Sequence, residues 1–270
     1  MTKKRVRADE LLVRRGLAST RSQARALIMA GRVWVGQQRI EKAGELVPED
    51  AELRLVQEPR YVSRGGEKLE HALRSFGIDV SGWVCADFGA STGGFTDALL
   101  QHGARRVYAI DVGYGQLHLK LRNDPRVVVM ERTNVRYLEA LPEAIDLVTI
   151  DVSFISLRLV LPAAWRVLRP GGYVIALVKP QFEAGRHKVG KGGVVRDPAV
   201  HREVLERVIA AALDLGFAVL GLEPSPITGA EGNVEFLLLL RRDGTESADP
   251  EELIARAVAR NGSDARPIDR

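Results

Sequence analysis

The chain has 270 residues, 46% of them hydrophobic and 27% charged, which is enough apolar material for a packed core and too much for a disordered chain. Its one cysteine, Cys85, excludes an intramolecular disulfide and suits a reducing, cytoplasmic setting. The net charge of +4 is unevenly spread: residues 1–60 hold 13 Lys/Arg against 8 Asp/Glu, and the remainder 26 against 27. A basic excess confined to one end marks either a polyanion-binding module or a solvated helix face. The basic stretch from Met1 to Arg7 is followed by no apolar signal segment, and the longest apolar runs, such as Phe236 to Leu240, are far too short to span a bilayer.

In chain order, residues 8–16 read as a short helix closed by Gly16, and a second helix runs from a cap at Ser19-Thr20 to Gly31. Ala24, Leu27 and Ile28 of that second helix follow helical spacing, leaving Arg21, Arg25 and Arg32 to the remaining surface. Short strands follow at 33–35 and 52–56, giving an αα-plus-hairpin unit that presents Arg5, Arg7, Arg14, Arg15, Arg21, Arg25 and Arg32 as candidate polyanion contacts. Pro59 ends this unit, so residues 1–59 are expected to form one domain and residues 60–66 a linker. Beyond it strands and helices alternate. Strands are predicted at 83–88, 106–110, 127–130, 145–150, 173–178, 217–221 and 234–240, and helices near 67–76, 92–102, 136–140, 157–168 and 198–215. This predicts an α/β fold for residues 67–242, a doubly wound and mostly parallel seven-stranded sheet. Residues 243–270 read as a polar tail with one helix at 250–260.

The first strand of this domain leads into Asp87-Phe88-Gly89-Ala90-Ser91-Thr92-Gly93-Gly94, a loop in which glycines let backbone approach a ligand and a helix start offers free N–H groups. Ser91 stands where a dinucleotide fingerprint has its second glycine, which disfavours nicotinamide cofactors. Asp87 suits a ligand with a cationic end such as a sulfonium. Asp111, 22 residues after Gly89 at the end of the next strand, stands where doubly wound nucleotide sites place a ribose-binding carboxylate.

Four charged residues are singled out for chemistry. Asp151 and Lys179 follow apolar strands, at the carboxyl ends where ligands bind in open α/β sheets. Glu235 sits in a stretch too apolar to leave a carboxylate unpaired, and Lys68 lies early in the helix before the first strand. A surface lysine, a turn carboxylate and an ion pair are the ordinary alternatives. Taken together, two lysines and two carboxylates suit transfer to a weakly nucleophilic hydroxyl. Ammonium groups stabilise a developing oxyanion, and a lysine crowded by a second cation can act as base. This chemistry needs no metal, and the five histidines, His71, His102, His118, His187 and His201, show no ligand spacing.

Seven stretches, Ser63 to Leu69, Asp87 to Phe95, Asp111 to Leu117, Thr133 to Arg136, Asp151 to Ser156, Val178 to Glu183 and Gly232 to Glu235, together resemble the TlyA family in order along nearly the whole chain. These are two-domain ribosomal RNA 2′-O-methyltransferases, often labelled haemolysins, with an FtsJ-type Rossmann-like methyltransferase domain. Residues 1–60 resemble the small RNA-binding domain first described in a small-subunit ribosomal protein. The resemblance implies S-adenosyl-L-methionine as cofactor, ribosomal RNA or ribosomal subunits as partner and cytidine as target. It also implies a catalytic set Lys68, Asp151, Lys179 and Glu235, with Lys179 nearest the reacting hydroxyl. Cofactor positions carry over to Asp87, Gly89, Gly93, Asp111 and Asn134, beside Ser91 of the same loop. Thr92 stands where FtsJ-type loops often have proline.

Residues 181–196 nearly spell a phosphate loop, Gly185 to Gly190-Lys191, but Gly192 replaces the required Ser/Thr and no helix follows, which excludes ATP binding. The expectation for this insert is a mobile lid whose Lys188 and Lys191 contact RNA phosphate. Three other readings stay open at this point: a non-enzymatic RNA-binding protein, a small-molecule methyltransferase and a membrane-active haemolysin. The last requires a spanning or strongly amphipathic helix that the sequence does not show.

Overall fold

The computed structural model describes residues 4–56, 59–244 and 247–264. Residues 1–3, 57–58, 245–246 and 265–270, which include parts of the expected first domain and polar tail, lie outside the described residues. The chain forms two compact units, Met1–Arg60 and Tyr61–Arg270.

The small unit contains β1 (Arg5–Arg7), α1 (Ala8–Arg14), α2 (Arg21–Met29), β2 (Val33–Val35), β3 (Gln38–Arg39), β4 (Leu46–Pro48) and β5 (Leu53–Leu55). β1 pairs with β4, and β2 pairs with β3 and β5, all antiparallel. α2 starts where the Thr20 hydroxyl accepts a hydrogen bond from the Gln23 N–H at 3.1 Å, satisfying a donor that the helix itself leaves free. Leu11, Leu12, Ala24, Ile28, Val33 and Ile40 close the core. β1 has no strand signature, because two of its three residues are arginine; only Val6 turns inward.

The large unit contains α3 (Gly65–Phe76), β6 (Val84–Phe88), α4 (Gly94–Gln101), β7 (Arg106–Ile110), α5 (Leu119–Arg122), β8 (Val127–Met130), β9 (Ile145–Ile150), α6 (Leu161–Val167), β10 (Leu168–Val178), α7 (Pro180–Glu183), α8 (Pro198–Asp214), β11 (Phe217–Pro224), β12 (Phe236–Arg242) and α9 (Pro250–Asp264). Its seven-stranded sheet runs β11-β12-β10-β9-β6-β7-β8. The pairs β10–β9, β9–β6, β6–β7 and β7–β8 are parallel, and β12 is antiparallel to both its neighbours. Successive residues of β6 point to opposite faces: Val84, Ala86 and Phe88 pack with Leu161, Val204 and Ile254, whereas Cys85 packs with Leu69 and Leu99. Both faces are therefore covered by helices, as a parallel sheet requires. From β6 the strand order runs outward through β7 in one direction and through β9 in the other, so the loops after β6 and β9 flank the topological switch point.

Local chemistry explains where the elements differ from the expected ones. The helix expected at 136–140 is a single 3-10 turn at Val135–Tyr137, because Leu138 already takes extended backbone at φ −72, ψ 118. α4 starts at Gly94 rather than 92 because Gly93 takes φ +99, outside the helical range. The helix expected at 157–168 splits into a 3-10 turn at Leu157–Leu159 and α6, whose first turn holds Pro162. α8 starts as expected, with Asp197 accepting from the Ala199 N–H at 2.8 Å and Pro198 in the first turn. α5 and α7 have no counterpart among the expected elements, being one turn each and too short to show periodicity. All of the segment expected as a linker except Arg60 is already part of the large unit: Tyr61 is buried, the Val62 N–H donates to Asp97 at 3.0 Å, and Gly65 and Gly66 open α3.

Candidate active site

The loop Gly89 to Gly93 leaves β6 and turns into α4 across the switch point. Gly89 has φ +83, and a Cβ there would stand 2.7 Å from the Asp151 carbonyl oxygen, so the loops after β6 and β9 touch only because this residue has no side chain. Gly89→Ala would add left-handed strain to a clash with backbone that cannot rotate away. It is expected to lower the stability of the large unit by about 1–3 kcal/mol in a thermal melt. Ser91, also left-handed at φ +49, donates its N–H to Asp111 at 2.8 Å. The other Asp111 oxygen accepts the Gly113 N–H at 2.7 Å. Asp111 and Ser91 thus line a narrow crevice with Ala90, Ala109, Gly113, Gln116, Leu117, Val129 and Glu131. The slot is narrow and mostly apolar, walled by Ala109, Leu117 and Val129 and edged by the Asp111 carboxylate.

Asp87 does not face this crevice. It is fully buried, and its two oxygens accept the hydroxyls of Thr96 at 2.7 Å and Thr149 at 3.0 Å. Burial pushes its carboxyl up to about 7, the nearby Asp151 charge adds to this, and the two hydroxyls oppose it. Its direct work is to tie β6 to α4 and β9 beneath the loop. Asn134 likewise turns its side-chain oxygen to the Arg136 N–H at 3.1 Å, capping the 3-10 turn. Neither residue lines the crevice.

Beside the crevice lies a cavity of about 290 Å³ whose wall includes Lys68, Asp151, Lys179 and Glu235 together with Gly89, Ser91 and Phe95. The four charged side chains form two ion pairs. Lys68, from the first turn of α3, meets Glu235, the residue before β12, and both are buried. The Lys179 ammonium, at the end of β10, lies 2.7 Å from Asp151 and donates to the Ser153 hydroxyl at 3.0 Å. Gly229 backs Glu235 so closely that a Cβ there would lie 2.1 Å from the carboxylate. The arrangement offers two ammonium groups, each neutralised by its own carboxylate, around a space open to a ligand.

Phe154 falls within the family stretch Asp151 to Ser156, but nothing in the sequence assigns it a role of its own. Its side chain is 90% exposed, its backbone is left-handed at φ +62, and its ring stands 4.8 Å from that of Phe182, which lines the same cavity. Residue type alone does not reveal such a conformation. The ring is thus an exposed apolar surface on a strained loop, reaching the cavity through Phe182.

The insert is stapled rather than free. Asn233, 3% exposed, accepts the Val195 N–H at 3.1 Å and donates to the Gly193 carbonyl at 3.0 Å, and Val194 and Val195 are buried. Lys188 is turned to Glu203 of α8 in an ion pair, so its charge is not presented alone, whereas Lys191 is exposed.

In the small unit Arg7, Arg21 and Arg25 converge on Asp9. The others are tied individually. Arg5, Arg15 and Arg32 donate to the carbonyls of Leu46, Glu49 and Val56 at 2.6, 3.0 and 3.1 Å, and Arg14 pairs with Glu49 at 3.2 Å.

Residues 61–242 match the FtsJ-like methyltransferase family and residues 6–53 the S4 domain. Over 268 residues the chain is 53% identical to the Bacillus subtilis protein provisionally named rRNA methyltransferase YqxC, covering 96% of this chain and 94% of that one. It is 46% identical over 263 residues to the Mycobacterium tuberculosis 16S/23S rRNA (cytidine-2′-O)-methyltransferase TlyA, covering 95% of this chain and 98% of the relative. The solved structure of a hemolysin-named protein from Streptococcus thermophilus superposes with a TM-score of 0.75 at 47% identity, covering 97% and 98% of the two chains. Among the described residues no helix is long and apolar enough to cross a membrane.

Proposed function

The chain belongs to the FtsJ-like methyltransferase family, and we propose that it transfers a methyl group from S-adenosylmethionine to the 2′-hydroxyl of a cytidine in ribosomal RNA, in the cytoplasm. The observation that carries this reading is the convergence of Lys68, Asp151, Lys179 and Glu235 on one cavity next to the Gly89–Gly93 loop. The residues fit the cofactor: the crevice under Asp111 suits its adenosine, and the loop offers close backbone approach at the end nearer the cavity. The sulfonium supplies an electrophilic methyl and would leave as a neutral thioether, so the protein need only bring a weak oxygen nucleophile into line and stabilise it as its proton passes to water. Lys179 is the group we assign to that oxygen. Asp151 holds its ammonium in place, and the Lys68–Glu235 pair supplies a second ammonium at the wall without adding net charge.

A purely RNA-binding protein would leave this convergence without a purpose. The decisive experiment incubates the full chain with methyl-labelled S-adenosylmethionine and unmodified ribosomal subunits, then maps the label by mass spectrometry. Label on a cytidine 2′-oxygen is the expected result. Label on a base atom, or none despite cofactor binding, would overturn the reading.

Phe154 stands beside this cavity as a stacking surface for the target base, which must leave its neighbours for its ribose to enter. Phe154→Ala is expected to leave the melting midpoint within error, since the ring is exposed, while raising the KM for RNA. The loss of one stacked base corresponds to about 1–3 kcal/mol. An unchanged KM would remove the assignment.

A further inference from the structure

Asp9 is the second residue of α1 and is fully buried, yet three guanidiniums meet on its carboxylate. Arg7 approaches side-on, Nε to Oδ1 and Nη2 to Oδ2, both at 3.0 Å. Arg21 Nη2 and Arg25 Nε reach Oδ2 at 3.2 and 3.5 Å. One arginine would neutralise the carboxylate. The two additional cations are offset only in part by Glu10, which lies 3.6 Å from Arg21. Joining α1 to α2 does not need them, because Leu11, Leu12, Ala24 and Ile28 already pack the two helices.

The arginines themselves stay outward, with side chains 39%, 51% and 57% exposed. Arg7 turns one edge of its fork to Asp9 and lies against Gly44, where a Cβ would come within 3.0 Å of its Nη1. The hydrogen bonds from Arg7 and, behind it, Arg21 hold the Asp9 carboxyl well below the usual carboxylate range against the opposing effect of burial, so the anchor stays charged. Three long side chains that would otherwise sample many rotamers are thus gathered at one point, each with donors left for an external anion.

We infer that Asp9 is a positioning residue that fixes Arg7, Arg21 and Arg25 as a single preorganised clamp for the phosphodiester backbone of RNA. This rests on the RNA-binding reading of the small unit and adds to it that geometry, rather than summed charge, sets affinity. The two make opposite predictions. Asp9→Asn raises the net charge by one, so a surface acting by charge alone would bind RNA more tightly.

The test measures binding of the full chain to a ribosomal RNA transcript by fluorescence anisotropy across a salt series, with thermal melts alongside. Asp9→Asn that melts as a folded protein is expected to bind at least about fivefold more weakly. The slope of log K against log salt should become shallower, by about 0.7–0.9 for each phosphate no longer neutralised. A merely structural Asp9 would shift the melt and leave the slope alone. Unchanged or tighter binding overturns the inference. Should Asp9→Asn fail to fold, Arg7→Lys decides, because it keeps every charge and removes only the fork. It is expected to weaken binding at every salt concentration, and wild-type affinity would overturn the inference. Wild-type protein without salt-dependent RNA affinity would overturn the RNA-binding reading and this inference together, an outcome distinct from a binding wild type with an equally tight Asp9→Asn.

Discussion

Lys179→Ala is expected to reduce methyl transfer by about 10²–10³-fold, the range typical for removing one oxyanion-stabilising donor. The ammonium it removes lies 2.7 Å from Asp151 and 3.0 Å from the Ser153 hydroxyl on the wall of the cavity, so its donors face the place where the reacting oxygen must sit. Cofactor affinity, measured by titration calorimetry, should stay near the wild-type value, because the crevice proposed for the nucleoside is lined by Asp111, Gly113 and Leu117 and not by Lys179. Stability should change little: the Asp151 side chain is 24% exposed and can be rehydrated once its partner is gone. Lys179→Arg is expected to fail nearly as badly, since a planar fork cannot occupy the position of a compact ammonium against both Asp151 and Ser153. Turnover within threefold of wild type in Lys179→Ala would show that another group stabilises the oxygen.

How much of this is legible in the sequence depends on what kind of signal each residue leaves. Asp151 and Lys179 are legible because each directly follows an apolar strand, and in an open α/β sheet that position is a ligand position whatever the fold's details. Glu235 is legible as a carboxylate needing a partner, but nothing local says which lysine supplies it, and the answer lies 167 residues away in α3. Asp87 leaves a double signal. An acidic residue beside a glycine loop reads as a ligand contact, whereas the two hydroxyls that consume it come from α4 and β9, which a linear reading does not bring near it. Lys188 is similar, its near-motif giving no sign of the ion pair it makes to α8. Neither the conformation of Phe154 nor the Asp9 cluster leaves a pattern in the sequence. A positive φ at phenylalanine and three arginines on one carboxylate are properties of the folded chain, visible only once loops and helices are placed.

The Lys68–Glu235 pair separates catalytic work from structural work most sharply. Lys68→Met keeps much of the side chain's volume but strands Glu235, which is 3% exposed and has its carboxylate pressed against Gly229. Breaking a buried pair by removing one partner costs about 3–5 kcal/mol, because the other charge remains without water or counter-ion. For a protein of this size that corresponds to a fall of about 6–20 °C in melting midpoint. The double variant Lys68→Met, Glu235→Leu removes both charges together, and replacing a buried pair by apolar groups of similar volume is commonly neutral or stabilising. It is therefore expected to regain most of the lost midpoint. Transfer should not return with it, since the second ammonium at the cavity wall is absent in both variants. Calorimetric melts beside single-turnover methyl transfer read the two quantities independently. A double variant that is both stable and active would make the pair a staple of α3 to β12 and leave catalysis to Lys179 and Asp151 alone. A stable but inactive one assigns the pair to the reaction, and explains why a site so near the core keeps two charges where leucine and methionine would pack as well.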